Sequence, residues 1–181
     1  LDKVKTIDNL LAWVNKFTDT KFVITPKFDG LSVGLNGDVS WTRGDGIIGQ
    51  DCTKQLMHTN KPHAANITEN SVIRGEIIFT NANWELFKKD HPEAVSSRNS
   101  ATGLINGDFD ASRISDYGLL SIMPYEIVGS DMPKEVQLNY LGTDIYETVQ
   151  ASQLNDEFLL NLYVKWKNLC PIDGLVIQCK M

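Results

Sequence analysis

A lysine precedes an Asp-Gly pair by two positions in the segment PKFDG, residues 26–30. A lysine amine is a nucleophile only after it loses its proton, and its ordinary pKa is about 10.4. Burial or a neighbouring cation can lower that pKa. Lys27 would lie at a strand end behind Pro26, where the chain turns sharply at a cleft. The segment suggests a nucleophilic lysine, although lysines beside turns are common and the tetrapeptide alone favours that simpler explanation.

Further charged residues lie at the edges of apolar segments. Arg43 lies in the glycine-rich segment TRGDGIIGQD, Arg74 and Glu76 flank Gly75, and Asp173 precedes an apolar run. A charge in an apolar strand is costly to bury unless it is paired or binds a ligand. Arginine suits phosphate oxygens, and carboxylates can hold Mg²⁺ beside a polyphosphate. Each residue alone is better explained by a surface salt bridge, but the set predicts a nucleotide pocket with a lysine directed at phosphate.

Composition narrows the class of protein. The chain has 181 residues, 42% of them hydrophobic and 22% charged, which suits one domain with a sizeable core. No apolar run approaches the ~20 residues of a membrane helix. Three scattered cysteines indicate reduced thiols and a cytoplasmic protein. The net charge of −6 argues against a broad nucleic-acid surface but not against a local basic face.

Hydrophobic spacing predicts an α+β fold with largely antiparallel sheets flanked by helices. Helices are predicted at 6–17, capped by Thr6 or Asp8, at 81–90, capped by Asn81 or Asn83, and at 154–169. Residues 21–41 are predicted to be rich in strands, with a strand ending near Lys27 and paired strands at 31–35 and 39–41. Further strands are predicted at 71–80, 119–129 and 172–180. Residues 36–38 would form a hairpin turn, and the proline in 119–129 predicts an edge strand or a bulge. Residues 130–137 would form a surface connection.

Six segments, in this order, resemble motifs of the adenylation (nucleotidyltransferase) domain of NAD⁺-dependent bacterial-type DNA ligases. The TRGDG loop is the most specific of them. The resemblance covers nearly all of the chain from residue 21 and implies the ATP-grasp-like fold of that domain. The six segments are KFDG (27–30), TRGDGIIGQD (42–51), IRGEIIF (73–79), SSRNSATGLINGD (96–108), MPYEIVG (123–129) and IDGLVIQ (172–178).

The resemblance implies a role for each residue of the pocket. Lys27 would attack the adenylyl phosphorus of NAD⁺ and carry AMP as a phosphoramide, releasing nicotinamide mononucleotide. Asp29 would orient the site and assist the metal. Arg43 and Arg98 would contact phosphate or ribose, and Glu76 would bind the ribose.

The same resemblance implies base and metal contacts. Tyr125 would stack on adenine, and Thr25 and Gln178 occupy positions that contact the cofactor. The resemblance also makes Mg²⁺ a cofactor beside NAD⁺. Three carboxylates would help to hold it: Asp29, Glu76 and Asp173. AMP would then pass to the 5′-phosphate of nicked duplex DNA, where the 3′-hydroxyl would displace it.

Two positions depart from the family's usual pattern. Thr25 stands where the family has a glutamate that reads adenine, and Gln178 stands where it has a lysine. The resemblance predicts a connector helix in residues 1–20 and an adenylation domain in 21–181 that stops after the D-G-x-V-I strand. Further ligase domains or a second subunit would then complete the protein. These features predict a divergent version, viral or bacterial, in the cytoplasm of a bacterium or of an infected bacterial host.

Two other functions remain open from the sequence. One is an ATP-dependent polynucleotide or RNA ligase domain that shares K-x-D-G, against which the long RGDG loop counts. The other is a nucleotide-binding subunit with impaired catalysis, which Gln178 favours.

Overall fold

The computed structural model describes residues 3–17, 21–37, 39–44, 46–60 and 71–179. The strands are β1 (Lys21–Phe28), β2 (Leu31–Asn36), β3 (Val39–Thr42), β4 (Ile73–Phe79), β5 (Leu120–Ile127), β6 (Glu147–Gln150) and β7 (Ile172–Cys179). The helices are α1 (Ile7–Val14), α2 (Thr53–Leu56), α3 (Asn81–Asp90), α4 (Ser97–Asn106), α5 (Ile114–Tyr117), α6 (Lys134–Tyr140) and α7 (Asp156–Lys167). No helix in these ranges has the length and apolarity needed to cross a bilayer.

The described strands form two sheets in which every named pairing is antiparallel. A three-stranded sheet has the order β6-β1-β7, and a four-stranded sheet has the order β3-β2-β4-β5. Helices pack on these sheets, so the predicted α+β architecture is confirmed. The hairpin predicted around residues 36–38 is also confirmed, with Gly37 at φ 53° between β2 and β3. Asp38 of that turn lies outside the described residues.

Two apolar cores hold the sheets. One core joins the three-stranded sheet to α1 and α7 through Phe22, Ile24, Leu10 and Trp166. The other packs α2, α3 and α4 on the four-stranded sheet. Burial of this apolar surface is the main stabilising term for both layers.

Strand β4 faces a different core on each of its sides. Ile77 and Phe79 belong to the core of the four-stranded sheet, whereas Ile78 belongs to the core of the three-stranded sheet. Successive side chains of a strand point to opposite faces. The face that carries Glu76 and Ile78 is therefore turned toward the three-stranded sheet. We use the word cleft for the surface between the two sheets that carries Lys27, Glu76 and Tyr125.

Strand β5 is an edge strand with a register shift opposite Pro124, as its proline predicts. Side chains that follow β5 cover its exposed backbone groups. Thr143 Oγ1 donates to the Pro124 carbonyl at 2.7 Å, and the Lys134 ammonium donates to the Tyr125 carbonyl. Such coverage satisfies groups that an open sheet edge would leave unpaired.

The helix predicted at residues 6–17 begins after Thr6, whose hydroxyl accepts from the Asn9 amide at 3.4 Å. Its Leu10 and Val14 pack in the same core as β1, and a domain boundary at residue 20 stays a prediction. The helix predicted at 154–169 is α7, which begins after Asn155.

Two predictions about local structure are wrong. The cap of α3 is Thr80, whose hydroxyl accepts from the Asn83 amide at 3.2 Å. Asn81 and Asn83 instead donate from their side chains to carbonyls of Lys167 and Leu119, which join α3 to neighbouring segments. Residues 130–137 are not only a connection, because α6 begins at Lys134.

The assignment of Thr80 as the N-cap of α3 can be tested by substitution. Replacing Thr80 with Ala removes the hydroxyl that accepts from the Asn83 amide. We expect Thr80→Ala to lower the free energy of unfolding by about 1 kcal/mol. Thr80→Ser keeps the hydroxyl, so urea unfolding should show a clearly smaller loss for this control. An equal loss for both variants would mean that the cap is not the stabilising contact.

Candidate functional site

Lys27 lies at the end of β1, where β1 pairs with the beginning of β7. Lys27 is in register with Gly174, and its ammonium donates to both carboxylate oxygens of Asp173 at 2.6 and 2.7 Å. Both side chains are about half exposed, at 46% each, so the pair is open to solvent. The predicted nucleophile is therefore held by a carboxylate at the mouth of the cleft.

The Asp29-Gly30 turn locks the lysine's strand against β4. The register of β1 and β7 shifts after Lys27, and the Asp29 amide then donates to the Pro171 carbonyl at 3.0 Å. A Cβ on Gly30 would lie 2.1 Å from the Ile77 carbonyl oxygen, which no side chain tolerates. Glycine is thus required at this position because the turn contacts the β4 backbone directly.

Glu76 lies half-buried beside this turn. Burial raises the pKa of Glu76 to about 7, opposed by the amide of Gly30, which donates to the carboxylate, and by the charges of Arg98 and Lys27. Removing a carboxylate from water disfavours its charged form. Near neutral pH this side chain therefore exists in both protonation states and can donate or accept a hydrogen bond.

Arg98 reaches the site from the first turn of α4. One of its guanidinium nitrogens donates to Asp29 Oδ1 at 2.9 Å, and both side chains are partly exposed. The hydroxyl of Ser96 caps the helix by accepting from the Asn99 amide. The sequence patterns did not predict this helix, which nevertheless positions a residue that the resemblance identified.

Tyr125 and Thr25 lie on the walls of the cleft. The Tyr125 hydroxyl oxygen is 3.4 Å from Ser32 Oγ, and Ser32 is in register with Glu76. Thr25 is buried on β1, two residues before Lys27 and so on the same face of the strand. Sequence reasoning missed Ser32. Only its alternation with the apolar Leu31 and Val33 could have indicated that it lies on the opposite face of β2 from those two residues.

Gln178 lies further along the strand from the lysine, and Arg43 lies on the loop after β3. Gln178 is in register with Val23 and follows Gly174 by four residues, a distance of about 13 Å along the strand. It occupies the same strand face as Lys27, at the other end of the cleft. Arg43 is exposed after β3, and its amide donates to the Ser32 carbonyl at 3.1 Å. Asp45 of the same loop lies outside the described residues.

The three predicted Mg²⁺ ligands do not form a joint site. In the described part of the chain, no cluster of three or more His, Cys, Asp or Glu side chains is placed to hold a metal ion. Asp173 is engaged by Lys27, and Asp29 is engaged by Arg98. A cage made only from Asp29, Glu76 and Asp173 therefore does not fit this structure.

The two antiparallel sheets and the lysine-bearing cleft define an α+β domain of the nucleotidyltransferase class. The chain matches the family model of the NAD-dependent DNA ligase adenylation domain over residues 1–179. It belongs to this family.

Similar proteins include viral and bacterial ones. The chain is 29% identical to protein 205R of Invertebrate iridescent virus 6, over 98% of this chain and 31% of that protein. It is 27% identical to a DNA ligase of Acanthamoeba polyphaga mimivirus, over 98% of this chain and 29% of that protein. It is 32% identical to a DNA ligase of Campylobacter fetus over 57% of this chain and 18% of that protein. The chain thus spans less than a third of the length of these relatives.

The raised pKa of Glu76 predicts a pH dependence of stability. The folded pKa of about 7 exceeds the ordinary value of 4.5, so the folded state binds more protons between these values. Stability from this group is complete below pH 4.5 and is lost as pH rises to about 7. Glu76→Gln stays neutral, so its free energy of unfolding relative to the native chain should increase between pH 5 and pH 8. Urea titrations at both pH values measure this, and parallel pH profiles would contradict the buried-carboxyl interpretation.

Proposed function

We propose that this chain is the adenylate-accepting part of an NAD⁺-dependent DNA ligase, with Lys27 as its nucleophile. The observation that carries the proposal is the Lys27–Asp173 pair at the mouth of a cleft lined by Glu76, Arg98 and Asp29. The family match supports NAD⁺ as the AMP donor over the ATP-dependent alternative.

In the first step, Lys27 loses a proton and attacks the adenylyl phosphorus of NAD⁺. The nearby acceptor for that proton is the Asp173 carboxylate, 2.6 and 2.7 Å from Nζ. A nitrogen–phosphorus bond forms, the phosphorus–oxygen bond of the pyrophosphate breaks, and nicotinamide mononucleotide leaves. Asp173 therefore acts first as a positioning partner and then as a general base.

In the second step, the lysyl-bound AMP passes to nicked DNA. A 5′-phosphate oxygen attacks the adenylyl phosphorus, the nitrogen–phosphorus bond breaks, and Lys27 regains a proton. The 3′-hydroxyl then attacks the activated 5′-phosphate, and AMP leaves as the new phosphodiester forms. Positioning and charge neutralisation supply most of the catalysis in such transfers.

The other residues bind and orient the nucleotide in this proposal. Arg98, held by Asp29, contacts phosphate or ribose, and Arg43 approaches from the loop after β3. Glu76 hydrogen-bonds the ribose, which its half-buried position and mixed protonation permit. Tyr125 stacks on the base, and a further contact comes from Thr25.

The proposal includes Mg²⁺ with fewer protein ligands than the sequence suggested. A magnesium ion commonly takes one or two carboxylates and otherwise binds substrate phosphates and water. Asp173 would be the candidate protein ligand only while Lys27 carries AMP and after Asp173 has given up the proton taken from the lysine. A bound ion there would neutralise charge on the phosphate oxygens.

The whole protein's partners are also part of the proposal. Since the relatives are more than three times longer than this chain, we infer that further ligase domains or a second subunit complete the enzyme. Nicked duplex DNA would be its substrate. A ligase acting on DNA would work in the cytoplasm of a bacterium or of a virus-infected cell.

A second candidate is a nucleotide-binding subunit without catalysis. The observation that favours it is Gln178, which shares a strand face with Lys27 and stands where the resemblance leads us to expect a lysine. Adenylate formation separates the two candidates.

Incubation with NAD⁺ labelled in its adenylyl group should place the label covalently on the chain. Lys27→Ala should abolish this labelling, and so should Lys27→Arg, because a guanidinium stays protonated. Lys89→Ala, on the exposed end of α3, is the matched control and should label normally. Label on the Lys27→Ala protein would refute the assignment, and binding of AMP without any label would support the second candidate.

Asp173→Asn tests the proton acceptor. We expect the rate of adenylate formation to fall about 10²- to 10⁴-fold, the usual contribution of a general base. The affinity for AMP should change little, because Asp173 contacts the lysine. Asp173→Glu should recover part of the rate in single-turnover assays. An unchanged rate in the Asn variant would exclude Asp173 as the base.

A further inference from the structure

A cavity lies beyond the end of the cleft that is remote from Lys27. Its volume is about 390 Å³, and it lies between the ends of β5 and β7, residues 129–133 and α6. Six polar side chains contribute to its lining: Glu126, Ser130, Asp131, Lys134, Gln137 and Gln178. None of these except Gln178 was singled out from the sequence.

Strand register places residues of this cavity on the same strand faces as the cleft. Gln178 lies on the face of β7 that is in register with the Lys27 face of β1. Glu126 is in register with Arg74, which shares a strand face with Glu76. The separation of about 13 Å between the positions of Gly174 and Gln178 is the scale of a mononucleotide. A nucleotide whose phosphate lies at Lys27 would therefore direct its base toward this cavity.

Lys134 is half-buried in the wall of the cavity. Its ammonium donates to the Tyr125 carbonyl, and Tyr125 is the proposed stacking residue. Burial lowers the pKa of Lys134, while the charge of Glu126 opposes that effect. An ammonium has three donors and no acceptor, so those not used by Tyr125 can serve a ligand.

The wall around Lys134 is held in place by Gln137, which is buried. Its side-chain amide donates to the Met132 carbonyl at 2.8 Å, and its side-chain oxygen accepts from the Ile127 amide at 3.1 Å. These two bonds tie the 129–133 segment to the end of β5. The cavity therefore lies at a sheet edge with a wall that these hydrogen bonds hold in place. Its cationic group is the ammonium of Lys134, which belongs to α6.

We propose that Lys134, with Gln178 on the opposite wall, reads the edge of the nucleobase and selects adenine. The inference rests on the proposed function. Adenine presents the N1 acceptor beside the N6 amino donor, and a glutamine amide can both accept and donate at such an edge. The ammonium of Lys134 can only donate, so it suits N1 of adenine. Hypoxanthine carries a hydrogen on N1, which would face the ammonium.

The experiment compares equilibrium binding of AMP and inosine monophosphate, which differ at this edge of the base. We expect the native chain to prefer AMP by roughly 5- to 150-fold, the range for one good base contact. Lys134→Met keeps the apolar stem and removes the donors, so the preference should fall to within about threefold. Lys134→Arg keeps a cationic donor and should retain most of it. Lys165→Met, exposed on α7, is the control and should bind as the native chain does.

Three outcomes would overturn the inference. They are no AMP preference in the native chain, an unchanged preference in Lys134→Met, and equal weakening of both nucleotides in that variant. The last would mean that Lys134 only supports the Tyr125 backbone. Because binding needs no transfer chemistry, failure of Lys27 to form an adenylate would refute the proposed catalysis and leave this inference standing. If the chain forms the adenylate but its preference for AMP over inosine monophosphate does not depend on Lys134, only this inference is refuted.

Discussion

The antiparallel pairing of β1 with β7 is the constraint on which the site depends. It brings Lys27 and Asp173, which are 146 residues apart, within 2.6 Å of each other. The register shift after Lys27 then turns the chain into Asp29 and Gly30. Gly30 contacts the β4 backbone so closely that a side chain would not fit, and its amide reaches Glu76. One strand pairing and one glycine therefore join both sheets at Lys27.

The electrostatics of the cleft follow from this packing. Lys27 and Arg98 are each paired with an exposed aspartate, so neither cation is buried alone. Exposed pairs contribute little to stability, typically about 0–1 kcal/mol, so they can be broken at small cost. Glu76 differs because its burial raises its pKa to about 7. The cleft thus combines two releasable cations with a carboxyl group suited to hydroxyl partners.

Much of the fold could be predicted from local patterns. The helix at 6–17, the hairpin around residue 37 and the edge position of the Pro124 strand are all visible as spacing or turn residues. Helix α4 was missed because its Ser- and Asn-rich sequence is typical of turns, and α6 was missed because it has only seven residues. Tertiary contacts stabilise both helices. The Thr80 cap was missed because two asparagines follow it, and only their contacts with distant carbonyls show that they are engaged elsewhere. Lys134 could not be placed, since its partner is a backbone carbonyl of another element.

Mapping the modified residue tests the central claim most directly. After incubation with NAD⁺, the chain would be digested and its peptides weighed by mass spectrometry, before and after mild acid, which hydrolyses a phosphoramide. We predict one adenylyl group, acid-labile, on the peptide that contains Lys27. An acid-stable adduct, or an adduct on a peptide without Lys27, would contradict the assignment of Lys27 as the adenylate carrier.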